Sequence, residues 1–455
     1  MTEIQDIHQV IEVLFSQLAA MREELEFVTK ENEQLRSENE QLRERLSRYE
    51  HPRDSHNSHL PSSKDPIGKK HITLRQKTGR LSGGQKGHPG KTLEMQTPDT
   101  LIPIEATYCT CCGADISAVD GEIIERRQQI DIPPIVAVVT EYQRVRKICP
   151  CSHVNVVDFP VGVTPGISYG TNIQSLITYF SACQYIPSKR LTRVLDEVFG
   201  VKLCEGTIQN VLGRMENRTR FAYETIREKL SHSPVVGVDE SSCSVNGIML
   251  WEWVFQNPEL TYIQAGLSRK MEEFKKIMPH GMPNTVLVSD CYSGYFSQNV
   301  AAHQICTAHV LRDLTFLSQV HEKHSWPKKM MALIRDALHL RKADFEQIDV
   351  DRILQRLQVL LNQTIGKKYK KIKTLQKRLR KYQDYLFYFL KDENVPPDNN
   401  ASERAVRAFK VKLKVSGFFK SAAGAQCFAQ LHSIADTARK NNQSPLIAFQ
   451  SALAI

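Results

Sequence analysis

Two aspartates stand at the ends of apolar runs, Val235-Val-Gly-Val-Asp239 and Thr285-Val-Leu-Val-Ser-Asp290. Such runs read as strands, and the unbroken apolar character of the second predicts burial on both faces. In an α/β sheet, sites form at strand ends, where neighbouring ends can bring two carboxylates together. Like charges that close repel and shift each other's pKa, so a cation is their natural partner. Hard oxygen ligands select Mg2+ or Mn2+. A two-metal site needs a third carboxylate, and Glu403 is the candidate, in the first turn of an apolar-periodic helix that follows Pro396-Pro-Asp-Asn-Asn400. A helix N-terminus favours an acidic residue on structural grounds too, as does an ion pair with Arg407 four residues on. The residues alone therefore leave Glu403 open between the two roles.

Sulfur carries a second chemistry. Cys109-Thr-Cys-Cys112-Gly and Cys149-Pro-Cys151-Ser-His153 form two knuckles separated by strand-like sequence, the pattern of a small ribbon around tetrahedral Zn2+. Cys109, Cys112 and Cys149 supply three ligands. A two-residue spacing from Cys149 lands on Ser152, which leaves Cys151 or His153 as the fourth. The eleven cysteines are odd in number, and most lie singly in apolar surroundings. That pattern points to a reducing cytoplasm rather than a disulfide framework. No signal pattern and no long apolar run is found, so a soluble protein without membrane association is expected.

The elements that must position these groups follow from periodicity. Around Asp239 and Asp290 the order reads strand, strand, strand, helix, strand, through Gly247–Phe255, Leu260–Ala265 and Arg269–Met278. Upstream, residues 165–230 read as helices. Leu191–Phe199, a turn at Gly200 and Thr207–Arg214 are compatible with either a helix-turn-helix DNA reader or a packed hairpin. Residues 1–50 hold a heptad with Leu18, Leu25, Asn32, Asn39 and Leu46 at a, and Leu14, Met21, Val28, Leu35 and Leu42 at d. This predicts a parallel coiled-coil homodimer or higher oligomer. Residues 51–100 form a basic linker bearing Lys69, Lys70, Arg75, Lys77, Arg80, Lys86 and Lys91. A ribbon over 101–162 follows it. The chain carries 60 Lys+Arg against 50 Asp+Glu, a net charge of +10 that favours phosphate-rich partners, nucleic acid first among them.

Several strings taken together resemble transposases of the insertion-sequence-66 family. They are Val238-Asp-Glu240, Trp251-Glu-Trp-Val254, Ser289-Asp-Cys-Tyr-Ser-Gly-Tyr295, Cys306-Thr-Ala-His309-Val-Leu-Arg312 and Asn399-Asn-Ala-Ser-Glu-Arg-Ala-Val-Arg407. Residues 61–63, 83–88 and 417–438 fit the same family. The resemblance implies a ribonuclease-H-like α/β catalytic domain over 231–440, in which Asp239, Asp290 and Glu403 hold two Mg2+ or Mn2+ ions. It also implies cleavage at the ends of an insertion element, transfer of the freed 3′ hydroxyl into target DNA, and accessory proteins of the same element as possible partners. The sequence between Asp290 and Glu403 is too long for a direct connection, so a helical insertion is expected over about 310–395, its Lys377, Arg378, Arg380 and Lys381 suited to DNA backbone. Arg404, Arg407, Lys410, Lys412 and Lys414 continue from the glutamate helix towards phosphates, and a helical tail spans 441–455. Cys306 and His309 match a family motif, but two ligands alone define no metal site, so packing and zinc both stay open for them.

Two other readings use the same residues. A non-catalytic DNA-binding regulator would dimerise through the heptad, although here the basic segment follows the zipper, where zipper-type readers place a basic helix before it. A nuclease that only hydrolyses would share every residue of the carboxylate site.

Overall fold

The computed structural model describes residues 2–50, 53–54, 57, 87, 94–133, 135–160, 162–164 and 166–454. Lys69, Lys70, Arg75, Lys77, Arg80, Lys86 and Lys91 lie outside these, as do residues 61–63 and most of 83–88. The chain divides into two compact units, one of Met1–Ile72, Asp158–Thr192 and Cys204–Ile455, the other of Thr73–Val157 and Arg193–Leu203. Helix α1 (Thr2–Glu50) is continuous and exposes the heptad residues Leu14, Leu18, Met21, Leu25, Val28, Leu35, Leu42 and Leu46. The Asn32 and Asn39 side chains donate to the carbonyls of Val28 and Leu35, one turn back.

The smaller unit is built on two tight turns. Cys109 N–H donates to the Ala114 carbonyl at 2.8 Å, and Tyr108 bridges Asp115. The short strands β1 (Lys147–Ile148) and β2 (Val154–Asn155) pair antiparallel around Cys149–His153.

In the larger unit, the strands β3 (Val235–Val245), β4 (Ile248–Gln256), β5 (Thr261–Gly266), β6 (Met282–Ser289) and β7 (Val300–Ile305) form one sheet in the order β5-β4-β3-β6-β7. The first three strands are antiparallel, whereas β6 and β7 run parallel to β3. Asn246 and Gly247 make the β3-to-β4 turn with φ of 46° and 81°, the left-handed pair that a tight two-residue hairpin requires. The expected strand order is present. A fifth strand, β7, completes it.

One sheet face is covered by α10 (Asn400–Ser416) and α11 (Ala422–Lys440), whose Ala405, Val406, Phe409, Phe428 and Ala429 pack on Cys243, Leu250, Val254 and Ile263. On the opposite face, α5 (Met271–Ile277) sets Phe274 against Trp253 and Phe255. Helix α2 (Thr171–Ala182) precedes α3 (Ser188–Phe199), a turn at Gly200 with φ of 66°, and α4 (Glu205–Ser231). Helix α4, 27 residues long, ends where the helical reading of 165–230 does, and Ile208, Val211, Met215, Tyr223, Ile226 and Leu230 form a single buried stripe along it. Helix α2 packs against α12 (Pro445–Ala454), and α4 against α11.

Between β7 and α10 lie α6 (Thr307–Val320), α7 (Trp326–Leu340), α8 (Gln347–Asn362) and α9 (Lys370–Lys381). Their apolar stripes converge on Trp326, Leu314, Leu357, Leu379 and Phe389 and continue onto Val286, Val288 and Ile305 of the parallel strands. The insertion therefore shares its core with the sheet. Among the described residues, no helix is long and apolar enough to cross a membrane.

Candidate active site

The parallel pairing of β3 with β6 ends at Gly237↔Val288. Asp239 and Asp290 each stand two residues beyond that last pair, so the register itself sets them side by side where the strands part. Glu403 enters in the first turn of α10, which packs on β3. Burial pushes the Asp239 carboxyl well above the usual carboxylate range, and the charges of Glu240, Asp290 and Glu403 push the same way. The Glu240 N–H, 3.0 Å from Asp239 Oδ1, opposes them. A hard divalent cation would relieve this repulsion, although among the described residues the ligand atoms that lie within 4.8 Å of one another are those of Cys306, His309 and Glu403 rather than of the three carboxylates.

The α10 terminus is held on β3 by a buried hydrogen-bond staple. Asn399 Nδ2 donates to the Val238 carbonyl at 2.7 Å, Ser402 Oγ donates to Asn399 Oδ1 at 2.6 Å, and Gln256 Nε2 donates to Ser402 Oγ at 3.2 Å. Gly237 makes the close approach possible: a Cβ there would lie 2.6 Å from Ser402 Oγ and 2.8 Å from Asn399 Oδ1. Sequence reasoning singled out the Asn-Asn-x-x-Glu-Arg string for its glutamate. The asparagine is what fixes that glutamate's height above the sheet.

The Glu403 carboxylate is gripped on one oxygen. Arg312 Nη1 lies 3.3 Å and His309 Nε2 3.4 Å from Oε1, both from α6. Asp290 is set by the Tyr292 N–H, which donates to Oδ1 at 2.8 Å. A further buried carboxylate, missed in the sequence, is Glu240. It accepts from Arg269 Nε at 2.5 Å and from the Tyr295 hydroxyl. Arg269 stacks 4.5 Å over Tyr292 and reaches to 3.9 Å from Asp290 Oδ2, linking the two carboxylates. The sequence signal was present in Asp239-Glu240, but alternation puts Glu240 on the opposite sheet face. Nothing in the sequence marked Arg269 as its partner.

Glu252 is a second missed acid. It lies at 0 % exposure on β4, and neither carboxylate oxygen has a hydrogen-bond partner. It pairs in register with Ser241 and is thus a diagonal neighbour of Asp239 on the face under α10. Burial drives its carboxyl well up, with Asp239 adding to the effect and Lys410 opposing it.

The basic residues separate into two kinds. Arg404, Arg407 and Lys414 are exposed and Lys410 is half-buried. Lys412, expected to face phosphate, is instead buried, its Nζ 3.5 Å from the Tyr185 carbonyl and 5.6 Å from the Phe428 ring centre. Helical periodicity puts it on the core side of α10, and burial lowers its pKa to about 8. On α9, Lys373, Lys377 and Lys381 are exposed at helical spacing along one stripe. Arg378 is engaged by Asp313, and Arg380 donates to the Leu361 carbonyl.

In the smaller unit, Cys109 and Cys112 are neighbours, as are Cys149 and Cys151. N–H groups of Cys112 and Cys111 lower the Cys109 thiol, and the N–H of His153 lowers that of Cys151. Each turn thus favours a thiolate, as a metal knuckle does. The two pairs do not converge into one ligand cluster among the described residues. The cluster that does form among the described residues is a different one, Cys306, His309 and Glu403 of the larger unit.

Comparison with known proteins agrees with this layout. A family model described as the zinc-finger binding domain of transposase IS66 matches residues 106–152, which include Cys109, Cys112, Cys149 and Cys151 but not His153. No curated protein matches the chain. A model described as the transposase IS66 family matches residues 166–427, which hold the whole sheet, the helical insertion, both aspartates and Glu403. The chain belongs to the IS66 family of transposases.

Proposed function

We propose that this protein is a DDE transposase that cuts phosphodiesters at the ends of an insertion element and joins the freed 3′ hydroxyl to target DNA. The observation that carries the reading is that Asp239, within β3, and Asp290, just past β6, each stand two residues beyond the last parallel pair while Glu403 enters in the first turn of α10, with burial and the charges of Glu240, Asp290 and Glu403 raising the Asp239 carboxyl. The order β5-β4-β3-β6-β7, antiparallel then parallel, supports a ribonuclease-H-like catalytic domain. Asp239, Asp290 and Glu403 would hold two Mg2+ or Mn2+ ions. Bound there, the ions would supply activation of the attacking water or 3′ hydroxyl and stabilisation of the leaving 3′ oxygen.

The chain's own groups supply the rest. Arg312 and His309 fix Glu403, the Tyr292 N–H fixes Asp290, and Asn399 fixes the helix that bears Glu403. Arg404, Arg407, Lys410 and Lys414 of α10 and the Lys373, Lys377, Lys381 stripe of α9 bind backbone phosphate. Gln209, Asn210 and Arg214, exposed on α4, suit DNA reading. The cysteine turns hold structural Zn2+ through Cys109, Cys112, Cys149 and Cys151. Helix α1 pairs with a second copy, since its exposed heptad residues otherwise face water.

The test is to incubate the full chain with labelled element-end DNA, a target plasmid and Mg2+ or Mn2+, then repeat with Asp290→Ala. Joined products that vanish in the variant support the reading. Cut but unjoined DNA assigns a nuclease, and binding without cutting a regulator.

A further inference from the structure

Cys306 is fully buried and caps the start of α6. Burial pushes the Cys306 thiol up to about 12, while the Asn399 N–H, 3.1 Å from the sulfur, and the His309 N–H oppose that shift. The buried thiol is therefore protonated without a metal, and the two N–H groups aimed at its sulfur remain available to a metal-bound thiolate at the start of the helix. The imidazole three residues on is turned to the same point, its Nε2 3.4 Å from Glu403 Oε1. The ligand atoms of Cys306, His309 and Glu403 all lie within 4.8 Å of one another. A tetrahedral zinc site, with bonds of about 2.0 to 2.3 Å, needs ligand atoms roughly 3.5 Å apart. The His309–Glu403 pair is already at that spacing.

We propose that Cys306, His309 and Glu403 form a site for a borderline-soft divalent ion, Zn2+ by ligand chemistry, which shares Glu403 with the carboxylate centre and competes with it. Thiolate and imidazole select against Mg2+, and a hard pair of aspartates selects for it. Glu403 stands between the two sets. Three protein ligands leave one coordination position open for water or a phosphate oxygen. Zn2+ takes the Glu403 oxygen that Arg312 now holds and draws the carboxylate away from Asp239 and Asp290. Entry of the ion releases the Cys306 proton to solvent. The competition rests on the proposed role of Asp239, Asp290 and Glu403, whereas the site itself does not.

The test counts zinc in the full chain after dialysis against buffered Zn2+ with excess Mg2+. Wild type is expected to hold one equivalent more than Cys306→Ser and than His309→Gln, while Asp290→Ala keeps the wild-type count. Cooperative melting checks that each variant is folded, and His309→Gln decides the matter where Cys306→Ser does not fold. Equal zinc in wild type and the folded variants overturns the site. Added Zn2+ should also reduce Mg2+-dependent cleavage by wild type at least tenfold. An extra zinc that leaves cleavage unaltered overturns the competition. Wild type inactive with Mg2+ alone would instead indict the carboxylate reading, and the zinc count would still stand by itself.

Discussion

Asn399→Ala isolates what positions the glutamate from the glutamate itself. The substitution keeps the backbone N–H that donates to Cys306 but removes the amide that bonds the Val238 carbonyl at 2.7 Å and accepts from Ser402 at 2.6 Å. Asn399 and Ser402 are 2 % and 0 % exposed, so water does not readily replace either bond. Leaving the Val238 carbonyl and the Ser402 hydroxyl proton without partners costs roughly 1 to 3 kcal/mol each, for an expected loss of about 2 to 6 kcal/mol in denaturant unfolding. The effect on chemistry is separate. With the α10 terminus free to lift from β3, a displacement of Glu403 by about 1 Å costs on the order of a hundredfold in rate. The assay is cleavage of element-end DNA at a temperature where circular dichroism shows the variant folded. Asn399→Ala that unfolds at the wild-type denaturant midpoint, or cuts at the wild-type rate, refutes the staple.

Other perturbations follow from the same geometry. Because the Asp239 pKa is raised by folding, its contribution to stability is full below the ordinary aspartate range, near the reference value of 3.8, and is lost as pH rises through the raised value. In chelator, Asp239→Asn should therefore gain on wild type as pH rises above the ordinary aspartate range, and saturating Mg2+, at about 100 Kd, should restore roughly 2.7 kcal/mol to wild type alone. A melting-temperature difference independent of pH and Mg2+ contradicts this. Glu252→Leu removes a buried acid with no partner and should stabilise the fold by about 1 to 3 kcal/mol, read by urea unfolding; destabilisation would mean that Glu252 makes a needed contact. Lys414→Ala should lower the slope of log K against log salt for DNA binding by about 0.9, and Lys412→Ala should leave the slope alone. An equal effect from both would place Lys412 at the phosphate surface despite its burial.

Much of this arrangement was legible in the residues. Apolar runs ending in Asp239 and Asp290 are a local signal, and both lie just past the last β3–β6 pair, but only Asp290 ends its strand: β3 runs on to Val245 because its pairing with β4 continues past Asp239. The first turn of α10 was also readable from the Pro-Pro-Asp-Asn-Asn string and the apolar period behind it. What escaped were pairings between segments far apart in the chain. Asn399 with Val238, Arg269 with Glu240 and Arg312 with Glu403 depend on how α10, α5 and α6 dock, which no local pattern encodes. Lys412 was misjudged for a related reason. A run of alternating Lys and Val looks uniformly basic, but the helix turns one lysine of the three inward, against Phe428. Cys306 and His309 were recognisable as a pair, and only the fold brings Glu403 to them.

The most direct measurement of the central claim replaces Mg2+ with Fe2+ and maps where ascorbate and peroxide cut the polypeptide. If Asp239, Asp290 and Glu403 share one hard-metal centre, cuts will cluster at all three positions together, disappear with excess Mg2+ and be lost throughout in Asp239→Ala. Cuts at the aspartates with none near residue 403, or a pattern that Asp239→Ala leaves unchanged, would contradict it.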